Sequence, residues 1–227
     1  MLLDVPYRRV ASLDLPRLLR VVERLRPLYE SPEAPLWSVI AERMKWVGQT
    51  ERPPDVSYRK MAPSSYVQLC IRNDEEPRSP WAIDVPEAVL SRDEQAEVAR
   101  DLHAACREVY GEGTIFLMVF AVLGPGGIIP PHRDLPHDVN KRAFSHRLHI
   151  PLTAATEAEF VLKGETVSFD LGGIYEIDNM STHSVTHRGK DHRVSVVIDY
   201  CPAANLERRN APSPPKVKLD STTAKNS

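Results

Sequence analysis

His132 and Asp134 stand two residues apart in the run I-P-P-H-R-D at positions 129–134. Residues two apart in a strand point to one face, so an imidazole and a carboxylate can converge there on one ion. His183, in I-D-N-M-S-T-H-S-V-T-H at 177–187, is the best candidate for a third ligand. Two histidines and one carboxylate on one side of an octahedron leave three positions open, the ligand set of non-haem Fe(II) oxygenases. Three open positions suit a bidentate 2-oxo acid together with dioxygen. Taken singly, each residue has a plainer reading. H-x-D occurs in surface loops, and a lone histidine such as His183 is more often a satisfied core residue. Order and spacing of the whole set carry the weight.

Arg193 lies ten residues after His183, just past the turn R-G-K-D at 188–191. A hairpin at that turn would place Arg193 at the start of the strand paired with the one carrying His183. A guanidinium beside a metal can clamp a carboxylate with two hydrogen bonds. In H-R-L-H-I-P-L at 146–152, Arg147 and His149 share one strand face while Leu148, Ile150 and Leu152 take the other. A purely structural strand rarely needs Arg and His together on one face. His137, His146, His187 and His192 have no such support and read as loop or rim residues.

These motifs, P-H-x-D, then R-x-H-x-P-L, then Y-E-x-x-N-x-x-x-H-x-V, then Arg on a hydrophobic strand ending in Asp, resemble the aspartyl/asparaginyl β-hydroxylase family. That family belongs to the Fe(II)/2-oxoglutarate oxygenases, and bacterial proline 3-hydroxylases are related to it. The resemblance covers about a third of the chain. It implies that His132 and His183 bind iron and that Arg193 holds the distal carboxylate of 2-oxoglutarate. It further implies that Arg147 and His149 lie near the metal-proximal carboxylate. The mammalian peptidyl-aspartate enzyme of the family lacks the carboxylate ligand, whereas this chain keeps it as Asp134, like the proline hydroxylases. Where the family often has Asn, this chain has His187, whose role is open.

The elements that must position these residues follow from periodicity. Apolar residues at Leu15, Leu18, Leu19, Val22 and Leu25 predict a helix within 13–29, with Pro16 near its start. A second short helix is expected at 35–45, and polar loops at 48–55 and 73–80. Alternation over 65–72 predicts a strand. Ser91 with Glu94 forms a capping box for a helix through Val109, with a stripe of Val98, Leu102, Ala105 and Val109. The run I-F-L-M-V-F-A-V-L ending at Leu123 reads as a strand buried on both faces. Short strands then follow at 126–132, 146–152, 159–163, 166–169, 174–177, 183–187 and 193–200, with polar loops at 135–145 and 153–158. Helices followed by such strands predict a mainly β fold with a double-stranded β-helix core, a jelly roll of cupin type. In the last strand Arg193, Ser195, Val197 and Asp199 face the barrel interior, and Val194, Val196 and Ile198 face the helices.

With 227 residues the chain is long enough for one substantial domain. The expected organisation is a single oxygenase domain over 1–202, with a helical and strand part at 1–113 and the jelly-roll core at 114–202. Residues 203–227 are Pro-, Lys-, Ser- and Thr-rich and are expected to form a mobile tail. A formal net charge of −2 gives no electrostatic footprint for nucleic acid. No run reaches the ~18 apolar residues of a membrane span. Three cysteines without a C-x-x-C pattern, and an N-terminus without a long apolar run, point to the cytoplasm.

The expected activity is hydroxylation of an unactivated C–H bond by a 2-oxoglutarate-dependent dioxygenase, with succinate and CO2 as coproducts. The expected substrate is an amino acid or amino-acid residue, of Asp/Asn type in a peptide or on a carrier, or a free amino acid such as proline. The expected cofactors are Fe(II) and 2-oxoglutarate, with dioxygen as the other cosubstrate. Two other classes fit some of the residues. A cupin-like metal-dependent hydrolase or isomerase would use metal-bound water, but gives Arg193 and Arg147 no task. A non-catalytic sensor of a small acid would not need intact metal ligands. Only the oxygenase makes succinate from 2-oxoglutarate.

Overall fold

The computed structural model describes residues 5–31, 33–34, 36–37, 39, 66–73, 82–134, 143–153 and 157–211. Its core is eight strands: β4 (Gly113–Leu123), β5 (Ile128–His132), β6 (His146–Pro151), β7 (Ala158–Leu162), β8 (Glu165–Val167), β9 (Gly173–Ile177), β10 (His183–His187) and β11 (Arg193–Pro202). They divide between two facing sheets. One runs β9-β6-β11-β4 and the other β5-β10-β7-β8. From β4 to β7 each strand crosses to the opposite sheet from the last, and every pairing among the eight is antiparallel. This is the double-stranded β-helix, as the strand spacing predicts. The first crossing is a tight turn in which Gly127 N–H bonds Gly124 O at 2.9 Å. Gly126 there has φ +68, a conformation that a Cβ disfavours.

The larger sheet is extended at both edges. β1 (Tyr7–Ser12) adds to β9, and β2 (Tyr66–Asn73) with β3 (Ala82–Asp84) adds to β4. Its outer face is covered by α1 (Pro16–Leu25) and α2 (Arg92–Tyr110). Alternation makes this possible. Met118, Phe120 and Val122 of β4, Leu148 and Ile150 of β6, and Val194, Val196 and Ile198 of β11 all join Leu18, Val22, Leu25, Val98 and Leu102 of the helices in one core. Truncating one of these, Leu102→Ala for example, removes ~2–5 kcal/mol by loss of transfer energy plus a cavity. Helix α2 begins as the sequence indicates. Ser91 accepts from Glu94 N–H while the Glu94 carboxylate accepts from Ser91 N–H. A smaller apolar cluster joins Leu123 and Ile177 of the larger sheet to Phe160, Leu162, Val167 and Val185 of the other.

Several expectations are corrected. The turn at 188–191 is not a hairpin between paired strands. β10 pairs with β5 and β7, and β11 with β4 and β6, so this turn crosses between sheets. The first helix is shorter than 13–29: a 3-10 turn, Arg26–Leu28, follows α1 at Leu25. The strands β1 and β3 have no clear periodic signature. Nor does the chain leave the core at residue 202. A short helix, α3 (Leu206–Asn210), follows β11 and buries Arg209, whose guanidinium lies 3.3 Å from the centre of the Phe116 ring. That cation–π contact and an Arg209 Nε–H bond to Ser145 Oγ anchor a segment whose composition alone suggests a tail. The loops expected at 48–55 and 73–80 and the tail beyond 211 fall wholly or almost wholly outside the described residues, as do most of the helix expected at 35–45 and most of the loop at 135–145. No described helix is long and apolar enough to cross a membrane.

Candidate active site

His132 ends β5, Asp134 follows it by two residues, and His183 opens β10 directly opposite His132 in the ladder. The two imidazoles and the carboxylate offer ligand atoms that all lie within 4.8 Å of one another. Asp134 Oδ1 is 3.5 Å from His132 Nε2 and 3.9 Å from His183 Nε2. Ligands about 2.1 Å from one ion at right angles are about 3 Å apart, so small side-chain shifts would close this set on a metal.

The hydrogen bonds behind the ligands make the fit specific. His132 Nδ1 lies 2.8 Å from Pro130 O, and His183 Nδ1 lies 3.0 Å from Ser181 O. A carbonyl only accepts, so each Nδ1 must carry the proton. In the neutral ring each Nε2 is then left with its lone pair, as a metal requires. Asp134 is oriented in the same way. Its Oδ2 accepts from Asn179 Nδ2 at 3.1 Å and faces Arg147 Nη1 at 3.2 Å, while Asp134 N–H bonds Asn179 O. Burial pulls the His132 pKa down, but the hydrogen bond and charge of the nearer Asp134 outweigh it, and the net shift is upward. Burial dominates at His183, which is shifted down despite Asp134.

Arg193 stands at the start of β11, on the inner wall of the barrel, and is 5% exposed. Its Nη2–H donates to His149 Nε2 at 2.9 Å. Among the described residues no carboxylate pairs with it. Burial lowers its pKa to about 10. A guanidinium so placed calls for an anion. His149 packs against Phe160 and Phe169, and it is held neutral by burial first and by the Arg193 charge next. Two positions along β11 from Arg193, Ser195 Oγ is fully buried with no hydrogen-bond partner among the described residues. An acid carboxylate beside Arg193 could accept from this hydroxyl, so both unmet groups fit the same ligand.

Arg147 lies on the same strand face as His149 but is engaged elsewhere. Its Nε and Nη2 bond both oxygens of Asp199, and its Nη1 faces Asp134. Of the other histidines, His146 and His187 are buried, not rim residues. His146 bonds Glu176, and His192 packs between Tyr29 and Trp37. His137 lies outside the described residues. Sequence reasoning assigned no task to Asn179, Ser195 or Asp199. Asn179 nonetheless falls within the motif Y-E-x-x-N-x-x-x-H-x-V that carries the resemblance, and the other two share the Arg193 face.

A double-stranded β-helix with two histidines and a carboxylate on one wall and a buried arginine on another has the frame of a non-haem metal oxygenase. Residues 94–202, which hold every site residue named above, match the aspartyl/asparaginyl β-hydroxylase family. This bears out the resemblance read from the motifs. A comparison with curated proteins gave no match. Among solved structures, a 2OG-Fe(II) oxygenase family oxidoreductase from Burkholderia pseudomallei is similar at 16% identity and TM-score 0.44, covering 66% of this chain and 70% of that one. A Pseudomonas putida prolyl-4-hydroxylase aligns at 14% identity and TM-score 0.38, over 82% of this chain and 98% of that one. A Cupin 2 conserved barrel domain protein from Salinispora arenicola aligns at 20% identity and TM-score 0.30, over 41% and 68%. At these values the likenesses bear on neither activity nor substrate.

Proposed function

We propose that the chain is an Fe(II)/2-oxoglutarate-dependent dioxygenase that hydroxylates an unactivated C–H bond of an amino acid or amino-acid residue. The substrate class is an Asp/Asn-type residue, peptidyl or carrier-bound, or a free amino acid such as proline. His132, Asp134 and His183 would hold the iron. With iron and 2-oxoglutarate bound, the centre supplies oxidative decarboxylation of the 2-oxo acid to succinate and CO2, one oxygen of O2 entering succinate and the other the substrate C–H bond. Arg193 receives the distal carboxylate and, with Ser195, fixes how deep the cosubstrate sits. His149 turns the guanidinium through its Nε2, and Phe160 and Phe169 keep water from that end. Asp134 acts as a ligand and not as a general base.

The observation that carries this reading is the buried Arg193 guanidinium, without a carboxylate partner among the described residues, in the same barrel as the triad. The test is titration of 2-oxoglutarate into the anaerobic Fe(II) protein, following the metal-to-ligand absorption band. A saturable band, and succinate formation once oxygen is admitted, are expected. Absence of 2-oxoglutarate binding with iron in place would overturn the reading and favour a metal-dependent hydrolase or isomerase.

A further inference from the structure

We propose that Asp199 is a positioning residue for the metal-binding carboxylate and acts through Arg147. The inference rests on the metal-site reading above and extends it to the ion pair behind the site. Arg147 and Asp199 are direct cross-strand partners on β6 and β11, and Asp199 is 1% exposed. The Arg147 fork meets Asp199 with two parallel hydrogen bonds, Nε to Oδ1 and Nη2 to Oδ2, the second 3.0 Å long. This leaves Nη1, which lies 3.2 Å from Asp134 Oδ2. A rigid planar guanidinium seated on one carboxylate has its remaining edge fixed in direction. Asp199 thereby aims that edge from the larger sheet across to the segment after β5.

The result is a division of labour between the two oxygens of Asp134. Oδ2 takes Arg147 and Asn179, and Oδ1 faces the two histidine Nε2 atoms at 3.5 and 3.9 Å. Asp134 is thus presented as a one-oxygen ligand. Arg147 thus links Asp199 to the metal ligand.

The test uses Co(II) as the probe, with affinity read by anaerobic calorimetry and ligand geometry by the visible spectrum, in the parent, Asp199→Asn, Arg147→Lys, Arg147→Met, and Asp199→Asn with Arg147→Met. Affinity for 2-oxoglutarate is measured at saturating Co(II). Asp199→Asn and Arg147→Lys are each expected to weaken Co(II) binding by ~10–100-fold and to alter its spectrum, as loss of a group behind a metal ligand does. Asp199→Asn should cost nothing further once Arg147 is Met, because its effect passes through that residue. If Asp199→Asn does not fold, Arg147→Lys reads the same linkage. Parent-like Co(II) affinity in the folded single variants, with weakened 2-oxoglutarate binding in the Arg147 variants, would return Arg147 to the cosubstrate and overturn the proposal alone. A parent that binds no Co(II) overturns the metal site itself.

Discussion

Two buried charge clusters lie on opposite faces of the larger sheet, and they are finished differently. On the outer face Glu176, 2% exposed, is surrounded by protein. His146 Nδ1 lies 2.6 Å from its Oε1, and Arg8 Nη2 and Tyr110 OH reach its Oε2 at 2.6 and 3.1 Å. Burial raises the Glu176 pKa, but the His146 and Arg8 contacts reverse this and hold it below the ordinary carboxylate value. On the inner face Arg193 is as deeply buried, yet among the described residues it has a neutral imidazole in place of a carboxylate. A buried charge closed by the protein's own groups joins elements together, here β1, β6, β9 and α2. A buried charge left open is a place for a ligand.

The contrast is sharpest if each ion is removed. Arg193→Ala is expected to weaken 2-oxoglutarate binding by roughly 2–5 kcal/mol, or about 30- to 5,000-fold, because the cosubstrate carboxylate would enter a dry pocket unpaired. Iron affinity should stay at the parent value. Thermal stability should be kept or rise, since an uncompensated cation leaves the core. Arg193→Lys should restore only part of the affinity, lacking the planar fork. Titration of the metal-to-ligand band, with calorimetry for iron, reads both quantities.

Glu176→Ala should do the reverse. It strands His146 and Arg8 and is expected to cost about 2–3 kcal/mol in urea unfolding. The figure lies below that for a fully buried pair because the Arg8 side chain is 46% exposed and keeps much of its hydration. The folded fraction should bind 2-oxoglutarate as the parent does. If Glu176→Ala instead abolishes cosubstrate binding in folded protein, the two clusters are not independent and the comparison fails.

A third prediction separates the clusters by pH. His149 is held neutral when folded, its pKa pushed well below the ordinary 6.5 by burial and by Arg193. The unfolded chain therefore binds a proton near pH 6.5 that the folded chain refuses. Stability is fully present above that pH and falls as pH drops below it, by up to roughly 1.4 kcal/mol per unit from this group. His183 and His192 are also shifted down and add in the same direction, while His132 is shifted up and opposes them. His149→Gln keeps an acceptor for Arg193 but does not titrate. Urea midpoints of the metal-free protein at pH 7.5 and 5.5 should differ less in this variant than in the parent.

Sequence and structure agree where the information is local. The Ser91/Glu94 capping box and the two-faced strands β6 and β11 follow from spacing within one element, whereas β5 ends at His132 and Asp134 lies past the strand whose face it was expected to share. The inner placement of Arg193 was legible for the same reason, since alternation along β11 sets it against Val194. Its partner strands were not, because a short turn between β10 and β11 can close a hairpin or cross between sheets, and long-range pairing decides which. β1 was hidden for a related reason. Its charged Arg8 is explained only by Glu176, 168 residues away. The fate of Arg147 was the subtlest point. Its chemistry suits a cosubstrate carboxylate, and only the register that sets Asp199 opposite it reveals another carboxylate already in place.

The smallest expected effect is the most discriminating, because it removes a single oxygen from each cluster. Ser195 Oγ, on the open inner face, makes no hydrogen bond among the described residues. Ser195→Ala therefore deletes no internal contact, and the stability of the metal-free protein should be unchanged or slightly higher, since an unmet buried hydroxyl is lost. If the hydroxyl instead donates to the cosubstrate carboxylate, the variant loses one charge-assisted bond. Affinity for 2-oxoglutarate should then fall by about 10-fold, near 1.4 kcal/mol. Tyr110→Phe removes the hydroxyl that donates to Glu176 on the closed outer face. It should cost about 1 kcal/mol of folding stability and leave 2-oxoglutarate affinity alone. Parallel urea unfolding and anaerobic titration of the two variants give four numbers. A Ser195→Ala protein that is destabilised yet binds 2-oxoglutarate normally would show that this hydroxyl completes the core and not the ligand site, and Arg193 would then be left to hold the distal carboxylate without it.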